Sequence, residues 1–562
     1  MAELAEREQA PGPAPRPVPG AASGRPRGSL PGWLVFVIPA VAAFIINVVG
    51  LGGPSLWRDE AYTKDAISRS ITHIFDLLGH NDAVHGAYYV IIHFYSEVAG
   101  TSDFALRFPS VCAMAVATGF TAAVARRATT LAGLSGRWPD VTALAAGLVF
   151  ATSPYMTYYA QMARPYAFVT MAATIASYLL LRAYADGGWR WWALYGLAVG
   201  FTGLFNTFGL LIIPAHALTL LAAGAAAGSA GRTWLRRVAL PWLIAAAIAV
   251  VVLGPLLLLS YRERGQISWL AKPDRGTIDA LFRDFAGSRT LLLPVALLAL
   301  GGVAAGIFDG RFFGSRSGDD RAGRRLSEGL GDGGRRLTPA AIALPWLVVP
   351  PVVLIAVSMV KPVYDMRYVE YCLPALAILV AAGLVGLIRL LVELLTGSSF
   401  RPAVAIRAAT AVAAVVVVII AVLLVSPQHA IRQSSARPDN LRLASQIVAA
   451  NERPGDIVFY IPVDMHVLGT GYPAPFLKLR DIALAETGIQ SGTLTGTEIS
   501  SPAELASRFT DVSRVWVVTG SNTYKFPVPS TAVDKEKMKL LSGMHILHRW
   551  TAGEVMLTLY GY

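Results

Sequence analysis

Two adjacent carboxylates stand directly after the first long apolar block of the sequence. They are Asp59 and Glu60, within residues 56–62, which read Leu-Trp-Arg-Asp-Glu-Ala-Tyr. A carboxylate at the boundary between membrane and water can act as a general base or as a metal ligand. The same pair also fits a solvated anchor at a helix end, so its role depends on what else the chain brings to this boundary. On this pair alone, a catalytic role for Asp59 and Glu60 and an anchoring role both stay open.

The loop that follows is rich in histidine. Four of the chain's nine histidines, His73, His80, His85 and His93, lie in it. Their spacing does not match a compact zinc motif, such as two histidines one helical turn apart that flank a glutamate. We therefore expect hydrogen bonds to a sugar or to the catalytic carboxylate. No metal ligand and no certain cofactor is assigned, and a divalent metal at the carboxylates stays an open alternative.

Further polar and cationic side chains follow later apolar blocks. Residues 153–166 contain Tyr158, Gln161 and Arg164, and we expect Tyr158 and Gln161 to contact an acceptor or a sugar. Guanidinium groups bind phosphate through paired hydrogen bonds, so several of them around one cavity would hold a phosphate. Contact with lipid headgroups is the alternative for each residue taken singly. The predicted phosphate-binding residues are Arg164, Lys361, Arg367, Arg262 and Arg264.

Long apolar blocks must position these residues. The chain of 562 residues is 54% hydrophobic and 15% charged, whereas soluble globular proteins carry about 25% charged residues. The blocks approach the ~20 residues that cross a bilayer core. We predict a polytopic all-α membrane protein with about eleven transmembrane helices, in blocks 33–51, 104–124, 141–154, 166–181, 192–205, 208–223, 238–259, 291–307, 340–360, 373–391 and 408–425.

The distribution of arginine predicts the topology. Cytoplasmic loops of membrane proteins carry an excess of Lys and Arg. With a cytoplasmic N-terminus, and with the short apolar run 87–98 lying at the interface, nearly all arginine-rich loops fall on the cytoplasmic side. This explains the net charge of +12 better than nucleic-acid binding does. An odd number of spans then places the C-terminal region outside the plasma (inner) membrane. The arginine-rich loops are 126–137, 182–190, 232–237, 311–336 and 401–407.

The predicted organisation has three parts. Residues 1–31, rich in Pro, Ala, Gly and Arg, form a disordered cytoplasmic tail. Residues 32–426 form the transmembrane domain, and its first extracytoplasmic loop, 52–103, carries the catalytic residues. Residues 427–562 form a soluble extracytoplasmic α/β domain, which we expect to act as a lid or a docking module.

Short local signals support the α/β prediction for the C-terminal domain. Runs 456–462 and 514–519 are rich in β-branched and aromatic residues and are bounded by turn residues, which is typical of strands. Residues 501–504, Ser-Pro-Ala-Glu, form a capping box with Pro at the first helical position. A hairpin is predicted around residues 551–554.

Five motifs occur in order along the membrane region. They are LWRDEAY at 56–62, HGAYYVIIHF at 85–94, FALRFP at 104–109, the segment 153–166, and MRYVEYCLP at 366–374. In this order and with this topology, the chain resembles the GT-C glycosyltransferases of the protein O-mannosyltransferase and lipid A aminoarabinose transferase superfamily. The resemblance extends over most of residues 33–391, and the C-terminal domain matches in position alone.

The resemblance implies a multi-span fold whose first outside loop carries an acidic catalytic residue. It also implies a polyprenyl-phosphate sugar donor that is used on the extracytoplasmic side. Asp59 matches the catalytic Asp of the family and Glu60 its neighbour, so the resemblance implies that these two residues form the catalytic part of the site. His85 and Tyr89 match the His and Tyr of the loop's second helix, and we expect them to contact the acceptor or the sugar.

The chain departs from the family pattern at two motifs. The family commonly has His-Pro-Pro-Leu-Tyr-Tyr where this chain has His-Gly-Ala-Tyr-Tyr at 85–89. It commonly has Gln-Glu-Ala-Arg where this chain has Gln161-Met162-Ala163-Arg164. The loss of that Glu removes an acidic contact and indicates a different recognition of sugar or acceptor. Asp59 and Arg164 are retained.

The sequence therefore predicts an inverting glycosyltransferase with Asp59 as general base. It transfers a sugar, for which we favour mannose over a pentose or another hexose, to a cell-envelope glycolipid, polysaccharide or protein. A transporter or flippase of lipid-linked precursors, or a non-catalytic assembly scaffold, are the alternatives. Carriers usually place ionisable residues within the membrane. Here the spans hold almost none away from their ends, with His216 the main exception, which favours the enzyme.

Overall fold

The structure is a computed structural model that describes residues 30–225, 231–312, 337–396, 402–520 and 531–562. The predicted tail, 1–31, and the arginine-rich loop 311–336 lie almost entirely outside these ranges.

Each of the eleven predicted apolar blocks coincides with a helix. Within the described ranges, seven helical segments are long and apolar enough to cross a membrane, so the chain is a multi-pass membrane protein. The remaining predicted spans form shorter apolar helices. The helix Trp138–Thr152, for example, ends at Thr152 because Ser153 precedes Pro154, and a residue before proline avoids the helical conformation. The eleven helices are Gly32–Val48, Asp103–Leu131, Trp138–Thr152, Tyr166–Asp186, Trp189–Phe205, Ile212–Ala225, Leu240–Val252, Leu292–Phe312, Pro339–Ser358, Leu373–Thr396 and Pro402–Leu423.

Small residues set the closest helix contact in this bundle. The helices Leu292–Phe312 and Leu373–Thr396 meet at Gly302 and Gly383. A Cβ atom at Gly383 would overlap the carbonyl oxygen of Leu298, so glycine is required for the two backbones to approach this closely.

The first loop folds into three helices rather than an open chain. They are Arg58–Ile67, Ile71–Leu78 and Gly86–Ala99, and the third contains the short apolar run 87–98. Tyr88, Tyr89 and Ile92 are buried together with Ile74 and Leu77. These residues bury one face of the third helix, whereas Ile91, Phe94 and Val98 on the same helix are exposed. Further short helices in the membrane domain are Pro154–Ala160, Gly231–Trp234, Gly254–Arg262, Arg275–Ala286 and Val425–Ala430.

The C-terminal region folds as the predicted small α/β domain. Its strands are β1 (Ile457–Tyr460), β2 (Leu484–Glu486), β3 (Thr497–Glu498), β4 (Arg514–Gly520), β5 (His545–Ala552) and β6 (Val555–Gly561), and its helices are Leu441–Asn451, Val467–Thr470, Pro502–Arg508 and Ala532–Leu541. The main sheet has the order β1-β4-β6-β5, in which β1 and β4 are parallel and the other pairs antiparallel. Ser501 caps the helix Pro502–Arg508, and β5 and β6 form the predicted hairpin.

The C-terminal domain is bonded directly to the first loop of the membrane domain. Arg69 donates to the carbonyl oxygens of Gly488 and Thr493 at 3.2 and 2.6 Å. Lys64 donates to the carbonyl of Gly471 at 2.8 Å. Because these donors stand on or just after the helix Arg58–Ile67, the C-terminal domain contacts the element that carries Asp59.

Candidate active site

Asp59 lies in the first turn of the helix Arg58–Ile67 and pairs with an arginine from far along the chain. Arg367 Nη1 donates to Asp59 Oδ2 at 2.5 Å. The two side chains are 16% and 13% exposed, so the pair is shielded but still reaches solvent. Arg367 Nε also lies 3.4 Å from Asp365 Oδ1. The site thus joins a carboxylate and a guanidinium that the sequence separates by 308 residues.

Glu60 is the next residue, but its environment is different. It is fully buried, and Arg107 donates to its two oxygens at 2.7 Å each. The backbone N–H of Ala163 donates to Glu60 Oε1 at 2.9 Å. Arg107 in turn donates to the carbonyls of Leu51, Pro54 and Ser55. This buried network ties the helix of Asp59 to the membrane helix Asp103–Leu131, and it leaves Glu60 no exposed oxygen to offer a substrate.

Arg164 forms the centre of a second network. It is 5% exposed, and its Nη1 donates to the backbone carbonyl of Asp59 at 3.3 Å and to Tyr89 Oη at 3.2 Å. Its Nη2 donates to His85 Nε2 at 2.9 Å. The predicted residues Arg164, His85 and Tyr89 are therefore brought together, around the backbone of Asp59.

A partly buried carboxylate, Asp82, contacts two further members of this network, Tyr89 and His85. Tyr89 Oη donates to Asp82 Oδ2 at 2.7 Å, and His85 Nδ1 lies 3.5 Å from Asp82 Oδ1. Burial raises the pKa of Asp82, but His85, Arg164 and Tyr89 together outweigh burial and lower it. Burial and then Arg164 lower the pKa of His85. Since arginine can only donate, His85 is neutral, with Nε2 accepting and its proton on Nδ1, toward Asp82.

The neutral state of His85 predicts a pH dependence of stability. A histidine in the unfolded chain takes up a proton near pH 6.5, whereas native His85, whose pKa is lowered, does not. The free energy of unfolding therefore falls as the pH drops through 6.5. We expect the stability advantage of the wild type over His85→Gln to shrink from pH 8 to pH 5.5. Unfolding temperatures of both proteins in detergent test this, and a parallel shift of the two would contradict it.

Aromatic rings cover the Arg367 guanidinium. Its centre lies 5.1 Å from the Trp269 ring and 5.6 Å from the Tyr368 ring. Trp269 belongs to the loop between the helices Gly254–Arg262 and Arg275–Ala286. Earlier in that loop, Glu263 accepts the backbone N–H of Ala83 at 3.0 Å. The loop thus extends from the Asp82 turn to Arg367 and covers this end of the site.

Removal of the Trp269 ring should weaken the binding, at Arg367, of the polyprenyl-phosphate donor that the resemblance implies, and it should affect the turnover rate less. A partly exposed cation–π contact contributes about 0.5–2 kcal/mol, and Trp269 is 57% exposed. For Trp269→Ala we expect the donor KM to rise about 3- to 10-fold with kcat nearly constant, measured by initial rates over a range of donor concentrations. Phe282→Ala, which removes an exposed aromatic ring (60% exposed) from the helix Arg275–Ala286, is the control. A fall in kcat with constant KM would contradict this expectation.

Other predicted site residues lie outside this arrangement. Gln161 is fully buried, and its amide donates to the carbonyls of Asn47 and Val49 at 2.8 and 2.9 Å, which ties it to the end of the first membrane helix. The ring of Tyr158 is covered by the guanidinium of Arg437 at 4.0 Å. Both side chains are thus occupied by internal contacts, which do not favour their predicted role in binding acceptor or sugar.

The remaining predicted cations are exposed. Arg264 stacks on Tyr261 at 4.4 Å and donates to its carbonyl, while Arg262 and Lys361 are exposed at helix ends. Of the five predicted phosphate-binding cations, the structure brings Arg164 and Arg367 to Asp59. The prediction for Arg262, Arg264 and Lys361 rests only on their sequence neighbours and on the predicted side of the membrane.

Two residues of the site escaped sequence reasoning: Asp82 and Arg107. Asp82 stands within the histidine-rich loop, and the positive φ of 60° at this residue is a backbone feature that sequence does not reveal. Arg107 lies in the motif FALRFP, where a lone arginine inside an apolar run is itself a signal of a buried partner. Among the described residues, no cluster of three or more His, Cys, Asp or Glu side chains has the geometry to hold a metal ion.

The chain is similar to known proteins in part of its sequence and in its fold. Residues 87–258 match the family described as dolichyl-phosphate-mannose-protein mannosyltransferase. No curated protein matches the chain. The fold is similar to the crystal structure of ArnT from Cupriavidus metallidurans in the apo state, with a TM-score of 0.55, 13% identity, and coverage of 94% of this chain and 98% of that one. For ArnT from Cupriavidus metallidurans bound to undecaprenyl phosphate the TM-score is 0.51, with 14% identity and the same coverage.

The shared fold confirms the fold class predicted from the sequence, and the family match over residues 87–258 agrees with the resemblance: the chain has the GT-C fold.

Proposed function

We propose that this chain transfers a sugar from a polyprenyl-phosphate donor to a cell-envelope acceptor on the extracytoplasmic side of the plasma (inner) membrane. The observation that carries the proposal is the contact of Asp59 with Arg367 at 2.5 Å. A general base and a phosphate-binding group are the two functions that such a transfer requires. In this topology the N-terminus is cytoplasmic, and the first loop and the C-terminal domain are extracytoplasmic.

The proposed reaction is a single displacement with inversion. The acceptor hydroxyl oxygen attacks the anomeric carbon, and the bond from that carbon to the phosphate oxygen breaks. Asp59 accepts the hydroxyl proton, and polyprenyl phosphate leaves with the bonding electron pair. Arg367 stabilises the negative charge that grows on the phosphate. Arg367 pairs with Asp59, so we propose that phosphate binding draws the guanidinium from the carboxylate and leaves that carboxylate free to act as a base.

The surrounding networks then have positioning roles. Glu60 and Arg107 fix the helix of Asp59 against the membrane helix Asp103–Leu131. Arg164 bonds the backbone of Asp59 and is itself oriented by His85 and Tyr89. We therefore assign Asp59 as the catalytic residue. For Glu60 we propose a positioning role in place of the catalytic role predicted from the sequence.

A small apolar cavity between the membrane helices marks the place where we propose that the lipid chain of the donor packs against the bundle. Its walls come from Trp138–Thr152, Arg275–Ala286 and Leu373–Thr396, and Phe285 lines it. Phe285 packs on Tyr155, whose hydroxyl lies 3.1 Å from that of Tyr159. The ring of Tyr159 packs in turn on Tyr166 at 5.3 Å. These tyrosines connect the cavity with the helix end that follows Arg164, so a prenyl chain in the cavity would present its phosphate near the site.

The donor class rests on two supports. One comparison structure, ArnT, is described as bound to undecaprenyl phosphate, and the family match names dolichyl-phosphate-mannose. We propose mannose as the sugar, with a pentose as the competing choice. A glycolipid, a polysaccharide and a protein are the acceptor classes to compare.

Transfer can be tested directly with purified protein in detergent. The protein is mixed with radiolabelled polyprenyl-phosphate sugars, tested one at a time, and with a membrane extract that contains acceptors. The proposal expects one donor to release polyprenyl phosphate and to label an acceptor in equal amounts. Release without acceptor labelling would indicate hydrolysis. If no donor turns over, while reconstituted protein moves a lipid-linked sugar across vesicles, the protein is a flippase and the proposal is wrong.

A further inference from the structure

The helix that carries Asp59 begins without a cap from its own sequence. Trp57 occupies the N-cap position and supplies no side-chain hydrogen bond. The first backbone N–H groups of a helix have no partner within that helix, and Ser, Thr, Asp or Asn at the N-cap usually satisfies one of them. The start of the helix Arg58–Ile67 therefore needs an acceptor from elsewhere.

Asp439, from the C-terminal domain, supplies that acceptor. The backbone N–H of Arg58 donates to Asp439 Oδ2 at 3.0 Å, across 381 residues of sequence. The Arg58 side chain lies 3.5 Å from Asp439 Oδ1, and the Asp439 side chain is 2% exposed. A carboxylate at this end also interacts favourably with the helix dipole. Asp439 thus makes two contacts with Arg58, the residue next to Asp59.

The position of Asp439 is fixed by the hairpin of β5 and β6. Asp439 forms an isolated bridge with Gly553 in the hairpin turn. On either side, Asn440 N–H donates to the carbonyl of Ala552 at 3.1 Å, and Glu554 N–H donates to the carbonyl of Pro438 at 2.8 Å. The carboxylate is therefore held by the edge of the main sheet of the C-terminal domain.

We propose that Asp439 is a positioning residue for Asp59, through which the C-terminal domain completes the active site. The inference rests on the proposed function. Since Asp59 occupies the first turn, a frayed or shifted helix start moves its carboxylate relative to Arg367 and to the acceptor hydroxyl. Misplacement of a catalytic group by about 1 Å can lower a rate about 100-fold.

Three variants test the capping contact in the full-length protein. Asp439→Ala removes the acceptor, Asp439→Asn keeps an oxygen for the Arg58 N–H without charge, and Arg58→Ala keeps the capped N–H but removes the side-chain pair. For Asp439→Ala we expect kcat to fall about 10- to 100-fold while the donor KM changes less than about 3-fold. Asp439→Asn and Arg58→Ala should retain most of kcat. Glu504→Gln, which breaks an exposed ion pair in the same domain, is the control.

A second readout does not depend on activity. Hydrogen exchange followed by mass spectrometry should show faster exchange in peptides from the start of the helix Arg58–Ile67 in Asp439→Ala, with unchanged exchange in β1 and β4. Unchanged exchange at this helix start would overturn the inference, as would wild-type kcat in Asp439→Ala. Faster exchange throughout the C-terminal domain would also overturn it, because the effect would then be unfolding. If wild-type protein transfers no sugar, the proposed function fails while the exchange result still decides the capping role.

Discussion

Asp59→Asn should lower kcat about 10²- to 10⁴-fold, the usual size of a general-base contribution. The substitution is isosteric, so the helix Arg58–Ile67 and its contacts are retained. It also removes the charge that pairs with Arg367 at 2.5 Å. The guanidinium is then freer to bind the donor phosphate, and we expect the donor KM to stay constant or to fall. Initial rates of acceptor labelling over a range of donor concentrations give both constants.

A carboxylate on the same helix provides the matched control for this prediction. Asp65 pairs with Arg69 at 2.7 Å, about 1.7 turns further along the helix, and Asp65→Asn removes an equal charge. We expect its kcat to stay within about 3-fold of the wild type, since Arg69 keeps its hydrogen bonds to the carbonyls of Gly488 and Thr493 and the asparagine oxygen can still accept from it. If Asp59→Asn kept more than a third of the wild-type kcat, Asp59 would not be the base, and the transporter and scaffold alternatives would regain support.

Glu60→Gln should act mainly on stability. It leaves Arg107, fully buried, without a balancing charge, and breaking a buried pair by removing one partner costs about 3–5 kcal/mol. We expect a large loss of folded protein in detergent, with a lower unfolding temperature. Material that does fold should keep a kcat far above that of Asp59→Asn. Size-exclusion yield, thermal unfolding and the rate per folded molecule separate these effects.

A double variant tests the reason given for this loss. Glu60→Gln combined with Arg107→Met removes both charges, so no isolated charge stays buried. We expect the double variant to be more stable than Glu60→Gln alone, which is the non-additivity of residues in direct contact. Wild-type stability in Glu60→Gln together with lost turnover would instead return Glu60 to the catalytic role predicted from the sequence.

Much of the architecture follows from the sequence because its signals are local. Apolar blocks of nearly 20 residues require helices, since lipid offers backbone N–H and C=O groups no partners. All eleven blocks are helical. Strands β1 and β4 and the hairpin of β5 and β6 lie where turn residues and β-branched runs predicted them, and Ser501 caps its helix, although the reciprocal Glu504 bond of a capping box is not formed. Asp59 could be singled out because its neighbours form a family motif.

The composition of the site could be predicted only in part. Arg164, His85 and Tyr89, which belong to separate motifs, meet around the backbone of Asp59. A shared side of the membrane was the basis for grouping Arg262, Arg264 and Lys361 with the site. Residues on one side of the membrane can lie far apart on its surface, so this basis does not predict that they meet at one site. Gln161 was selected for its polar type, and the structure uses that polarity to satisfy carbonyls at a helix end.

Sequence by itself determined the membrane helices, the α/β domain and the candidate base, because hydrophobic length, turn chemistry and motif order are written in neighbouring residues. Tertiary structure alone decided how two adjacent carboxylates differ. Consecutive residues on a helix project about 100° apart, so Asp59 meets Arg367 at a partly exposed surface while Glu60 is buried against Arg107. It also decided that Asp439 caps the helix of Asp59. The partners in these three contacts are 47, 308 and 381 residues apart in sequence. Only the folded chain brings them together, because a local sequence pattern does not specify which distant residue pairs with which.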